Sequence, residues 1–189
     1  NPMKEFQVYK FSEIAFYSGV AATDWSWGPL LFDMDNDGYL DIFVANGIYQ
    51  DLTDQDFLDF FANTIVQKMV ISGIKKEVDT IFSKMPSTPI PNYGFRNNGD
   101  LTFTNMSAEW GLDIPGFSNG AAYGDLDNDG DLDLFWAGYT TQGDKTIIYR
   151  NDAGVFTDIK AGLPGVEQGS AAWEDYDSDG DQDILFSGS

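Results

Sequence analysis

Asp33-Met-Asp35-Asn-Asp37-Gly38-Tyr-Leu-Asp41 sets the pattern of this chain, and two later stretches repeat it. They are Asp125-Leu-Asp127-Asn-Asp129-Gly130-Asp-Leu-Asp133 and Asp175-Tyr-Asp177-Ser-Asp179-Gly180-Asp-Gln-Asp183. Each has Asp at positions 1, 3, 5 and 9 and Gly at position 6. At ordinary residue frequencies such a match arises by chance about once in a million start positions. Three matches therefore mean a repeated structural unit with a repeated chemical task.

The spacing of oxygens suggests that task. Calcium takes 6–8 oxygen ligands. Side chains at positions 1, 3 and 5 converge on one point when the backbone curls, and Gly at position 6 allows the curl with positive φ at little cost. Position 7 offers its backbone carbonyl, from Tyr39, Asp131 or Asp181, and position 9 closes the shell. The expected ligands of three calcium ions are thus Asp33, Asp35, Asp37, Tyr39 and Asp41, then Asp125, Asp127, Asp129, Asp131 and Asp133, then Asp175, Asp177, Asp179, Asp181 and Asp183. Without a cation, four clustered carboxylates repel by about 1 kcal/mol per pair at 4 Å in water, and by more where solvent is excluded. Magnesium fits less well, because it demands compact octahedral geometry and keeps its waters.

Composition narrows the functional classes. The 189 residues carry a net charge of −21, and 14 of the 31 acidic residues lie in the three loops. Three divalent ions would bring −21 only to −15, which argues against nucleic-acid or anionic-membrane partners. The chain has no Cys and no His. That removes disulfides, thiolate nucleophiles, Cys/His zinc sites and the Ser-His-Asp triad. No apolar run approaches the ~20 residues of a membrane span. Nearly every close carboxylate pair is better used as metal ligand than as an acid–base pair, and Glu109 and Glu174 read as solvated surface acids, so no enzymatic activity is expected.

The repeat extends beyond the loops, which start 92 and 50 residues apart. Phe11-Ser-Glu-Ile, Phe103-Thr-Asn-Met and Phe156-Thr-Asp-Ile are copies of one segment, followed by Gly19-Val20, Gly111-Leu112 and Gly162-Leu163. Alternating strands follow each loop, at Ile42–Val44, Leu134–Trp136 and Ile184–Phe186. Asn97-Asn98-Gly99-Asp100 and Asn151-Asp-Ala-Gly154 are hairpin-turn signals between strand-like runs. Periods of this size indicate propellers or solenoids. Residues 48–91 break the pattern. Thr53-Asp-Gln-Asp56 reads as a helix N-terminus, and Phe57, Phe60, Phe61, Ile65 and Met69 recur at helical spacing. Gly73 should end that helix, and Ile74, Val78, Ile81, Phe82 and Met85 suggest a second one, stopped by Pro86. The apolar stripe either packs on its own unit or contacts another protein.

The pattern D-x-D-x-D-G-x-x-D, preceded by Gly120-Ala-Ala-Tyr123 or Ser170-Ala-Ala-Trp173 and followed by Asp-aliphatic-hydrophobic, resembles the FG-GAP/VCBS repeat. That repeat is found in integrin α-chain propellers and in many secreted bacterial proteins. Trp25-Ser-Trp27-Gly28 and Ile42-Phe-Val-Ala-Asn46-Gly47 are similar to the bacterial branch related to cartilage acidic protein and the UnbV group. The resemblance implies a mainly β chain of three propeller-type blades with a helical insertion after the first loop. The expected organisation is a first unit over 1–47, the insertion over 48–91, a second unit over 92–140 and a third over 141–189. The loops, the acidity and the lack of catalytic machinery lead to the expectation of an extracellular or cell-surface, calcium-stabilised structural or adhesive protein.

Propellers usually have 4–8 blades, so three imply either a piece of a longer propeller or completion by other chains. The N-terminal copy Phe6–Ile14 can add as a strand to a preceding chain, which gives a homo-oligomer that grows head to tail into a helical filament. A further alternative is a carbohydrate- or protein-binding module, with Trp25, Trp27, Trp110, Trp136 and Trp173 either stacking on a glycan or filling the blade core.

Overall fold

The computed structural model describes residues 11–51, 53–72 and 83–188. Ten strands form three antiparallel sheets among these residues. The first sheet is a meander of β1 (Ser26–Phe32), β2 (Asp41–Asn46), β3 (Tyr93–Asn97) and β4 (Phe103–Asn105). The second repeats it with β5 (Phe117–Gly124), β6 (Asp133–Thr140), β7 (Gly143–Asn151) and β8 (Phe156–Asp158). The third is the hairpin of β9 (Ser170–Glu174) and β10 (Asp183–Ser187). Every acidic loop joins the first strand of its sheet to the second.

Side-chain alternation in β6 explains how the sheets stack. Successive residues of a strand face opposite ways. Leu134 and Trp136 enter one core with Phe32, Phe43 and Trp110. Phe135 and Ala137 enter another with Trp173, Ile184 and Phe186. The second sheet is therefore apolar on both faces, as a sheet packed between two neighbours must be. In β9 and β10 partly buried and exposed residues alternate, so only one face of the hairpin is packed. Of the five tryptophans, Trp110 and Trp136 are core residues and Trp173 packs against the second cluster. Trp27 lies at the surface.

The sheets divide the chain at other points than the repeat units suggested. The hairpin of β3 and β4 pairs back onto β2, with Ile42 opposite Phe95, across the whole insertion. The stretch 92–140 thus holds the last two strands of one sheet and the first two of the next. Hydrophobic alternation specifies each strand's faces but not which neighbour it pairs with.

The insertion begins as its sequence requires. The Asp54 carboxylate accepts the Phe57 amide at 2.7 Å, a side-chain N-cap. The first turns, Phe57–Ala62, are π-helical and continue into the α-helix Asn63–Ser72, where the spacing had suggested α-helix throughout. The Asp51 amide donates to the Pro86 carbonyl at 2.9 Å and closes the base of the insertion. Ile74, Val78, Ile81 and Phe82 of the expected second helix lie outside the described residues; Met85 is in a bend. No described helix is long and apolar enough to cross a membrane. At the other end, Phe11 is 96% exposed and belongs to no strand, whereas its copies at Phe103 and Phe156 open β4 and β8.

Candidate metal centres

The three acidic loops share one backbone path. Position 4 is left-handed in each, with φ of 60° at Asn36, 59° at Asn128 and 61° at Ser178. Position 6 is left-handed too, at Gly38, Gly130 and Gly180. Asn is among the few L-residues that enter this region readily, and Gly enters it freely. The first Asp closes the curl. Asp33 accepts the amides of Asp37 (3.1 Å) and Gly38 (2.9 Å), and Asp175 accepts those of Asp179 and Gly180 (both 3.1 Å). The fifth position repeats a shorter bond, with Asp37, Asp129 and Asp179 each accepting the amide two residues on.

The ninth position is an anchor as well as a candidate ligand. Asp41 and Asp133 are fully buried. Asp133 accepts the amides of Leu126 (2.7 Å) and Asn151 (2.8 Å), and Asp41 those of Met34 (2.9 Å) and Asn97 (2.7 Å). One carboxylate thus ties the start of the loop to the end of the third strand. Asn97 and Asn151 return the tie, because their side-chain amides donate to the carbonyls of Leu40 and Leu132. These asparagines, read from sequence only as turn residues, are part of the site; the repeated Arg-Asn at 96–97 and 150–151 was the available signal. Asp183 has the loop half of the anchor, from the Tyr176 amide at 3.0 Å, and is exposed.

Burial penalises the charged form. It pushes the Asp41 carboxyl up to about 6, against the opposing pull of the Asn97 and Met34 amides. Asp133 is raised for the same reason, and Asp35 by burial and by the charge of Asp37. A carboxyl that holds its proton more tightly when folded stabilises the fold below its unfolded value, near 4, and loses that contribution as pH rises through the folded value. The metal-free protein should therefore melt lower at pH 7.5 than at pH 5. Metal reverses the trend, because it requires the ionised carboxylates. Melting curves at both pH values, with chelator and with calcium, check the two signs.

Each loop gathers a carboxylate triad with one oxygen per residue, all within 4.8 Å of one another. The triads are Asp33, Asp35 and Asp37; Asp125, Asp127 and Asp133; and Asp175, Asp177 and Asp183. Asp41, Asp129 and Asp179 belong to the same loops but stand outside these triads, and Tyr39, Asp131 and Asp181 would contribute main-chain oxygen only. The donor set is all oxygen, the choice of a hard cation. In addition, the inner oxygens Oδ1 of Asp35 and of Asp125 are buried without a hydrogen-bond partner. Buried carboxylate oxygens are costly unless paired, and a cation at the triad would pair them. The three triads could each hold a metal ion.

The loops are also connected to one another. The Asn36 side-chain amide donates to Asp131, and Asn128 donates to Asp181 at 2.9 Å. Position 4 of one loop thus grips position 7 of the next, twice over. Asp131 further accepts the Ala153 amide at 2.6 Å, so its side chain serves the neighbouring loops. Sequence reading passed over these asparagines because position 4 is not a ligand. Asn128→Ala should weaken metal binding at the third loop a few-fold, in line with the ~1 kcal/mol of one hydrogen bond. Calorimetric titration beside the parent chain reads this; superimposable isotherms would dismiss the link.

The geometry has a counterpart among known families. Residues 125–186 match the family model of the FG-GAP-like repeat. This stretch is an FG-GAP-like repeat. The match runs from the second loop to β10 and so includes two of the three triads. The first loop and its sheet lie outside the matched residues, yet reproduce the FG-GAP-like loop in its positive-φ positions, its buried ninth Asp and its strand order. No curated protein matches the chain.

Proposed function

We propose that this chain is a calcium-binding structural or adhesive module of the cell exterior, with a binding rather than a catalytic role. One observation carries the reading: an oxygen triad built on the first and third Asp, completed by the fifth in the first loop and by the ninth in the other two, recurs between the first two strands of three successive sheets, and two of the three have an orphaned inner oxygen. Calcium suits these loops better than magnesium because each loop offers more carboxylates than an ion that keeps several waters needs. Each ion would pin the turn between the first two strands of a sheet, and in the second loop, whose triad includes the ninth Asp, it would also pin the third strand. Outside cells calcium is abundant, so the ions serve as permanent parts.

The affinity tests this placement. Extracellular modules bind near 10⁻⁴–10⁻³ M. Titration calorimetry should give dissociation constants in that range; values below a micromolar would move the protein to the class of intracellular buffers and sensors. Head-to-tail association through Phe6–Ile14, of which residues 6–10 lie outside the described residues, belongs to the same proposal, supported by the strands that the copies of Phe11–Ile14 open at β4 and β8. Sedimentation of the purified chain in calcium reads it, and a strictly monomeric species would remove it.

A further inference from the structure

The strands that enter the acidic loops at one end leave an aromatic cleft at the other. β1 starts at Ser26, next to Trp27, and ends beside Asp33, and β6 starts at Asp133 and passes Tyr139 near its far end. There, opposite the metal loops, a cleft of about 780 Å³ opens between the first two sheets and the segment that leads into β9. Its volume lies in the range of small-molecule sites.

The walls of the cleft are held in place by close backbone approaches. Gly47, at φ +109°, sits where a Cβ would stand 2.6 Å from the Gly116 carbonyl, and a Cβ on Gly120 would meet the Gly169 carbonyl at 2.6 Å. These contacts draw the first sheet onto the second and the second onto the third. The Trp27 indole donates to the Gly47 carbonyl at 2.8 Å, which fixes its ring with 38% of the residue exposed. Tyr49, half exposed, stands edge-on to Phe117 and to Tyr139, with ring centroids 5.4 and 5.0 Å away. Between these platforms lie Gln50, Asn119, Glu167 and Gln168, and the Gln168 main-chain amide donates to the Asn119 side-chain oxygen at 3.1 Å.

We infer that this cleft binds a neutral oligosaccharide. A sugar ring offers an apolar C–H face to an aromatic ring, whose face carries the negative side of its quadrupole. Its hydroxyls both donate and accept, which suits a rim of three side-chain amides and a carboxylate. Anionic ligands are disfavoured, because among the described residues no Lys or Arg lines the cleft, and the chain carries −21. A methylammonium ligand wants rings spaced around a cation, whereas Tyr49, Phe117 and Tyr139 touch one another and leave no cage between them. The site is independent of what occupies the acidic loops, which lie at the other end of the strands.

The calcium-loaded chain, probed on an array of neutral, sialylated and sulfated glycans, should bind neutral members. Calorimetry with the best neutral oligosaccharide should show at least tenfold weaker binding for Tyr49→Ala and for Trp27→Ala. Glu167→Gln, which leaves the aromatic packing intact, should weaken binding several-fold. Tyr17→Ala, 67% exposed on the helical turn Ala15–Ser18, should bind as the parent does. The proposal is overturned if no neutral glycan binds, if binding is confined to acidic glycans or to trimethylammonium compounds, or if the Tyr49, Trp27 and Glu167 variants keep the parent affinity at unchanged melting temperature.

Discussion

Asp133→Ala is expected to be the most damaging single substitution in the chain. Two main-chain donors, the amides of Leu126 and Asn151, lose their acceptor, and the second of these bonds is fully buried. Each abandoned buried donor costs about 1–3 kcal/mol, so the loss is roughly 2–6 kcal/mol before any metal is counted. For a chain of this length that corresponds to a fall of roughly 5–20 °C in melting temperature. The second triad loses a member at the same time. Asp183→Ala is the comparison. It removes the same position of the third triad but strands only the amide of Tyr176, in an exposed setting. In chelator Asp133→Ala should melt clearly below Asp183→Ala. Equal melting of the two would show that the buried anchor contributes nothing beyond its part in the metal site.

Removing calcium should come close to that effect without any change of sequence. A ligand that binds only the folded state stabilises it by RT ln(1 + [L]/Kd). At a tenfold excess over Kd this is about 1.4 kcal/mol per site. Three triads together then contribute about 4 kcal/mol, or roughly 8–16 °C. A thermal melt in EDTA should lie below the melt in millimolar calcium by about that amount, and magnesium should restore only part of it. A melting temperature indifferent to EDTA would mean that the loops are not structural metal sites.

The contrast between what the residues announced and what the fold adds has a physical cause. The loops were legible because a cation constrains residue type directly: Asp37 and Gly38 can hardly be replaced without losing an oxygen or a positive φ. The strands after the loops were legible from alternation. Pairing was not, because the hairpin at Tyr93–Asn105 is as compatible with the following unit as with the preceding one, and only packing across the insertion decides. The long-range bonds of Asn36, Asn128 and Asn151 escaped notice for a related reason. Their partners Asp131, Asp181 and Met34 lie 95, 53 and 117 residues away, and single-sequence periodicity carries no information at such separations. The π-helical turn at Phe57–Ala62 was equally invisible, since it departs from the spacing used to find the helix. The aromatic cleft is assembled from strands of the first two sheets and from the segments after β2 and before β9, and of its aromatic residues only Trp27 stood out in the sequence.

Crystals grown in calcium and measured at a wavelength where calcium scatters anomalously test the central claim most directly. Three peaks per chain are predicted, one inside each carboxylate triad and within about 2.3–2.6 Å of its oxygens. A map with no peak at any of the three triads, in crystals where the sheets are fully ordered, would contradict it.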